Sequence, residues 1–275
     1  MEPVSFAIST FLYRQKRLTR DQLIEIAAHG FTFVELFASR LHVDYHNATV
    51  VADVQQWLAE ARLELTSVHA PVLEMSLASA EASEREAAVA ETERALHIAR
   101  RIPFRTLVIH LGRPRTDGVR GGTNRDAARR SIEALATAAE PLGVRIAVEV
   151  IPNDLSRPSS LAQLIDEDIE HATVGICLDL GHARLDPHGG DVADAIETVS
   201  GHLAAIDVHD NRGRADDHLV PFDGVIDWPS ALTTMQKVGY DGALTFELLP
   251  RGSTKDTLAR ARDARLKMQG LMAEG

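Results

Sequence analysis

Cysteine is nearly absent from the 275-residue chain: Cys177 stands alone, so no internal disulfide can form and no cysteine-rich zinc cluster can be built. It lies in the apolar run "VGICLDL" and reads as a buried, inert thiol. Long apolar runs are missing too, none approaching the roughly 18 residues of a membrane-spanning helix. The opening "MEPVSFAISTFLYRQKR" has no basic stretch ahead of its apolar residues, so it does not read as a secretory leader, and a cytoplasmic location is expected. Nor is there an excess of basic residues. With 29 Lys and Arg against 40 Asp and Glu the formal charge is −11, which repels polyanions and argues against nucleic acid as partner. No linker or low-complexity segment divides the chain, which reads as one domain over residues 1–275.

A hydrophobic fraction of 45 % with 25 % charged residues is that of a globular protein with material for a sizeable core. Short β-branched runs alternate with longer amphipathic ones from end to end. The expected strands are 3–9, 31–38, 65–71, 106–112, 145–152, 174–182, 203–210 and 243–250. Helix patterns between them include "TRDQLIEIAAHG", "VADVQQWLAEARLE", "NRDAARRSIEALATAAEPLG" and "WPSALTTMQKVGY", several opening on a capping Ser, Thr, Asn or Asp. Eight such units predict an α/β fold, a single (β/α)8 TIM barrel. A doubly wound open sheet would usually carry a Gly-rich loop after its first strand, and "STFLYRQK" is not one.

Barrel strands deliver their C-terminal ends to one site. Those ends carry Glu35, His69, His110, Glu149, Asp179, His182, His209 and Glu247, with Asp216 and His218 in the loop "HDNRGRADDHLVPFDGVIDW". One buried histidine is unremarkable, but this many imidazoles and carboxylates at one mouth call for counter-charge. A divalent metal ion supplies it, and the mixed set suits Zn, Mn, Co, Fe or Mg, with the imidazoles favouring transition metals. Glu35 reads as a substrate-facing group or a structural hydrogen-bonder, and Arg113, Arg212 and Arg214 as loop cations within reach of a hydroxylated or anionic substrate. "HVDYHN" after strand 2 reads as a polar surface loop that could roof the site, and Gly252-Ser253-Thr254 as a helix cap.

At "VEV" with Glu149, "LDLGH" with Asp179 and His182, "VHDNRG" with His209 and "FEL" with Glu247, the sequence resembles the xylose isomerase-like TIM barrel superfamily. That superfamily holds sugar isomerases and epimerases, inosose dehydratase-like proteins and apurinic-site nucleases. The sugar branch implies metal ligands at Glu149, Asp179, His209 and Glu247, proton transfer by the two glutamates, and His182 on a substrate oxygen. His69 then also faces the substrate. The nuclease branch implies three zinc ions on a wider set: His69, His110, Glu149, Asp179, His182, His209, Asp216, His218 and Glu247. Two departures stand against a nuclease: the charge of −11, and the loop after strand 3, "APVLEMSLASAEASE", which is acidic and has no arginine. Phe222-Asp223 stands where the sugar-type loop often has a glycine. The expectation is a metal-dependent isomerase, epimerase or related dehydratase acting on a small-molecule sugar, with homo-oligomers common among such barrels. A zinc-dependent phosphodiesterase is the alternative, and a non-catalytic sugar or metal binder the third.

Overall fold

A computed structural model describes residues 4–72, 76–112, 124–186 and 190–274. Eight parallel strands close into a barrel in sequence order: β1 (Phe6–Ser9), β2 (Phe33–Phe37), β3 (Glu64–His69), β4 (Thr106–Ile109), β5 (Arg145–Glu149), β6 (Val174–Asp179), β7 (Leu203–Val208) and β8 (Leu244–Phe246), with β8 pairing back onto β1. Helices follow on the outside: α1 (Arg20–Ala28), α2 (Ala48–Ala61), α3 (Ala82–Leu96), α4 (Arg125–Ala139), α5 (Pro158–Asp168), a short α6 (Leu180–Arg184), α7 (Val192–Val199), α8 (Trp228–Lys237) and α9 (Thr254–Glu274). Among the described residues no helix is long and apolar enough to cross a membrane.

Local chemistry explains the boundaries. Thr19 and Gln22 form a capping box at α1, Asn47 and Asn124 cap α2 and α4 through their side chains, and α5 opens on a proline at its first turn, where the missing N–H costs nothing. The last helix is capped as expected: Ser253 Oγ accepts from the Asp256 backbone N at 3.0 Å and donates to its carboxylate at 2.6 Å. Three differences from the sequence reading matter. All eight strands are shorter than the apolar runs that mark them; except at β1, which ends at Ser9 as its run does, those runs continue into the loops at the barrel mouth. Strand 6 stops at Asp179, whose carboxylate accepts from the His182 backbone N at 2.8 Å and so starts α6; His182 therefore sits on a helical turn rather than in the strand. Finally, "HVDYHN" is not a free polar loop, since His42 is buried and Tyr45 and His46 both bind Glu91 of α3, at 2.6 and 2.7 Å.

Two cores follow from the two-residue period of the strands. Leu107, Ile109, Ile146, Val148, Ile176, Leu178, Ile206 and Val208 point outward into the main core beneath the helices, while Val108, Ala147 and Cys177 form a separate small cluster inside the barrel. Continuing the inward positions two residues on brings His110, just past β4, and Glu149 and Asp179, the last residues of β5 and β6, to the mouth. The apolar layer thus carries the stability, and the interior is left free for polar groups. Phe246 illustrates the outer layer, fully buried with its ring 6.1 Å from Phe6 and 5.8 Å from Phe31. Phe246→Ala should cost about 3–5 kcal/mol in urea unfolding; a loss below about 1 kcal/mol would mean that this layer is not what holds the barrel.

Candidate metal centre

At the C-terminal mouth, His69 and His110 converge on one oxygen of Glu149, with His69 Nε2 at 3.0 Å and His110 Nε2 at 2.7 Å from Oε2. The other Glu149 oxygen faces His182 Nδ1 at 3.1 Å. Across the mouth, His182 Nε2 and His218 Nε2 both meet Asp216 Oδ2 at 3.1 Å, and His209 Nε2 lies 3.0 Å from Asp179 and 3.7 Å from Asp216. His209 and His218 stack with ring centroids 4.0 Å apart. Four overlapping groups have mutually close donor atoms, each within 4.8 Å of the others: His69, His110 and Glu149; Glu149, Asp179 and His182; His182, His209, Asp216 and His218; and Glu149, Asp179, Asp207 and Glu247.

The direction of the imidazoles tests whether these groups fit a metal. A neutral imidazole has one N–H and one lone pair. His69 Nδ1 donates to the Ala70 carbonyl at 2.8 Å, and His218 Nδ1 to the Glu247 carbonyl at 3.0 Å. Each ring therefore turns the lone pair of Nε2 toward a carboxylate, an arrangement that repels unless a proton or a cation lies between. A backbone carbonyl on the far nitrogen is also what orients a metal-ligating histidine. The donor set and its tautomers fit a divalent metal.

The same groups also perturb one another's protonation. Burial pushes the Glu247 carboxyl up to about 8 and, with Glu35 and Glu247 nearby, raises Asp207 well above the carboxylate range. Burial would raise Glu149 also, but His110, His182 and His69 outweigh it and hold it well below. Burial opposes charge on His69, His182 and His209, yet the carboxylates overcome that, raising His209 to about 9. His218, buried and facing charged neighbours, moves the other way.

The loop carrying Asp216 and His218 is held by Asp210. Its carboxylate accepts from the backbone N of Asn211 at 2.9 Å, Phe222 at 3.1 Å and Ile226 at 3.2 Å, and from Trp228 Nε1 at 2.9 Å, while its backbone pairs both ways with Leu219 at 2.8 Å. Gly224 passes so close that a Cβ would run into this carboxylate. His218 itself adopts φ +43°, in the left-handed region that few non-glycine residues enter. At the departure noted in the sequence, Phe222 packs on Trp228 and under Lys267, and Asp223 pairs with Arg260, so these two residues pin the loop to α9.

Every histidine and carboxylate singled out as a ligand thus lies in the cluster. Glu35 lies in the barrel interior, fully buried, accepting from Ser67 Oγ at 2.9 Å, and raised by burial. Arg212 and Arg214 are exposed on the β7 loop, and Arg113 lies outside the described residues. Asp207 escaped the sequence reading because His209 follows it at the strand's end; the two-residue period that puts both on one face was the available signal.

A family model described as xylose isomerase-like TIM barrel matches residues 23–268. The chain belongs to this family. Among proteins of known structure, a D-tagatose 3-epimerase-like protein is 22 % identical, with 98 % of this chain and 99 % of that one covered and a TM-score of 0.84. D-psicose 3-epimerase of Clostridium cellulolyticum H10, solved with D-tagatose, is 18 % identical over 98 % and 99 %, with a TM-score of 0.80. A family 2 AP endonuclease of Brucella melitensis is 22 % identical over 94 % and 97 %, with a TM-score of 0.73. An uncharacterized protein of Methanocaldococcus jannaschii is 24 % identical over 249 residues, 89 % of this chain and 83 % of that one. At such identities the structural likeness establishes the xylose isomerase-like fold and nothing finer.

Chelator-stripped protein should gain stability when a divalent metal is restored: saturation at a hundred times Kd adds about 2.7 kcal/mol, a rise in Tm of several degrees in differential scanning fluorimetry. An unchanged Tm across zinc, manganese and cobalt titrations would remove the metal from the picture.

Proposed function

We propose that the protein is a metal-dependent sugar isomerase or epimerase, moving a proton next to the carbonyl of a small polyhydroxylated substrate. The observation that carries this reading is the pairing of Glu149 and Glu247 in one buried group at the barrel mouth, with a carboxylate oxygen of each within 4.8 Å of the other's. Two carboxyl groups facing one small site can serve as base and acid on a single substrate. On this reading one of Glu149 and Glu247 takes the proton α to the carbonyl, and the other returns one to the enediolate that results. His182, between Glu149 and Asp216, would contact a substrate oxygen. Glu149, Asp179 and Glu247, with a side chain from the end of β7 such as His209, would hold the metal. When bound, it would supply a Lewis acid and a template for two adjacent substrate oxygens. Loss of a β-hydroxyl from the same enediolate would make the reaction a dehydration. The similarity to proteins named as D-tagatose 3-epimerase-like and D-psicose 3-epimerase supports a ketose as the substrate class.

A second reading has its own observation. The ligand groups spread over nine of the expected residues and exceed what one ion needs, which favours a multi-zinc phosphodiesterase such as an apurinic-site nuclease. The charge of −11 opposes a polyanionic partner and keeps this reading second.

Glu149→Gln and Glu247→Gln should each lower turnover by roughly 10²–10⁴-fold, read as loss of deuterium exchange at the carbon next to the carbonyl across a ketose panel in D2O. Wild-type levels of exchange in both variants would end the two-glutamate mechanism. Nicking of an abasic-site duplex, with no exchange on any ketose, would put the second reading first.

A further inference from the structure

The loop after β1 supplies no residue to the four ligand groups, yet it borders them. Phe11, half-buried on that loop, sets its ring centroid 5.0 Å from that of His218 and, edge to face, 5.0 Å from that of Phe37, whose own ring lies 5.5 Å from His69. One side of the mouth is thus an aromatic wall reaching from one imidazole-rich group to the other. Arg14 lies over Phe11, its guanidinium carbon 4.7 Å from the ring centroid, and so is no farther from the His218 imidazole than the sum of two such contacts. The loop is also held from both sides. Arg14 N donates to the Phe11 carbonyl and Lys16 N to the Tyr13 carbonyl, each at 2.9 Å, while buried His42 donates from Nδ1 to the Lys16 carbonyl at 2.6 Å and accepts at its own carbonyl from Leu18 N at 2.9 Å.

Charge sets this loop apart. Between β1 and α1 stand Arg14, Lys16 and Arg17 and no carboxylate, in a chain of formal charge −11. None of the three side chains makes an ion pair or a hydrogen bond among the described residues, whereas Arg40 faces Asp44 at 3.9 Å and Arg251 pairs with Asp217 at 2.9 Å. Lys16 and Arg17 are exposed; Arg14 is half-buried and stacked. Stacking covers one face of a guanidinium and leaves the N–H fork at its edge free, a fork that matches the oxygens of a phosphate or carboxylate. An anion would be repelled by the carboxylates of the barrel interior and drawn to the cations at this rim. We infer that Arg14 is a specificity-determining residue, presented by Phe11 to receive an anionic group at the end of the substrate remote from the reacting carbons. Resting on the sugar reading above, this narrows the substrate class to ketoses with a terminal phosphate or carboxylate.

Deuterium exchange by the metal-loaded enzyme tests it on matched trios: a ketose, the same ketose with a terminal phosphate, and the same ketose with a terminal carboxylate. The wild type should favour one charged member by about 10–100-fold in kcat/KM, chiefly through KM, as a hydrogen-bonded charge contact would give. Which member it favours identifies the group. Arg14→Gln should erase that preference, and Arg14→Lys should keep part of it, because the charge survives and the planar fork does not. A merely structural role for Arg14 would lower all three members of a trio alike. Ketose turnover with no preference in the wild type, or with an undiminished preference in Arg14→Gln, overturns the inference and leaves the sugar reading standing. For a protein inactive on every ketose, calorimetric titration with inorganic phosphate and with acetate decides. Binding of either anion weakened about tenfold or more by Arg14→Gln would keep the anion site and remove the sugar reading; no binding, or equal binding in both proteins, overturns the site.

Discussion

Negative charge taken out of water is the constraint on which the rest of this structure depends. Glu35, Glu149, Asp179, Asp207 and Glu247 are each at most 4 % exposed, and they share one barrel interior. Carboxylates so placed repel one another and lose their hydration, so each must be protonated, hydrogen-bonded or neutralised by a cation. The protein uses all three means. Ser67 donates to Glu35, imidazoles press on Glu149 and Asp179, and burial favours the protonated form of Asp207 and Glu247. The same positions that take protons here are those from which a metal would displace them.

That arrangement is possible because the barrel separates its duties. The outward residues of each strand complete an apolar layer beneath the helices, and the interior needs only a small plug of Val108, Ala147 and Cys177 below the polar mouth. Nothing at the mouth has to hold the fold together, which leaves those positions free to carry charge. Close approach is settled by missing side chains: a Cβ on Gly181 would collide with the His209 ring, so the turn that begins α6 can pass directly beside the histidine stack.

Much of this was legible in the sequence, and the reasons differ by element. Eight apolar runs alternating with amphipathic ones carry the topology, since parallel strands buried on both faces must be apolar almost throughout. The ligand-type residues stand out for the converse reason, being ionisable at positions where apolar neighbours predict burial. What could not be read was which ionisable residue of a pair reaches which partner. Asp207 and His209 share a face, and only the register of β7 against β6 and the course of the loop decide that the first meets Glu149 and Glu247 while the second meets Asp216. The end of β6 was misread for a similar reason: "LDLGH" continues an apolar run, and the N-cap bond of Asp179 that ends the strand is a tertiary outcome of its side chain turning back on His182.

The Asp210 carboxylate, with its four N–H donors, separates the base of the β7 loop from its tip. Backbone pairing with Leu219 closes the segment 211–218, in which Asp216 and His218 turn back into the cluster while 212–215 lie exposed at the tip. Residues 212–215 therefore behave as an exchangeable cassette mounted on a fixed socket. Length, charge and shape can drift there at little entropic cost, so a lineage built on this barrel could re-address its mouth to new molecules while the anchoring carboxylate and the scaffold beneath it stay as they are.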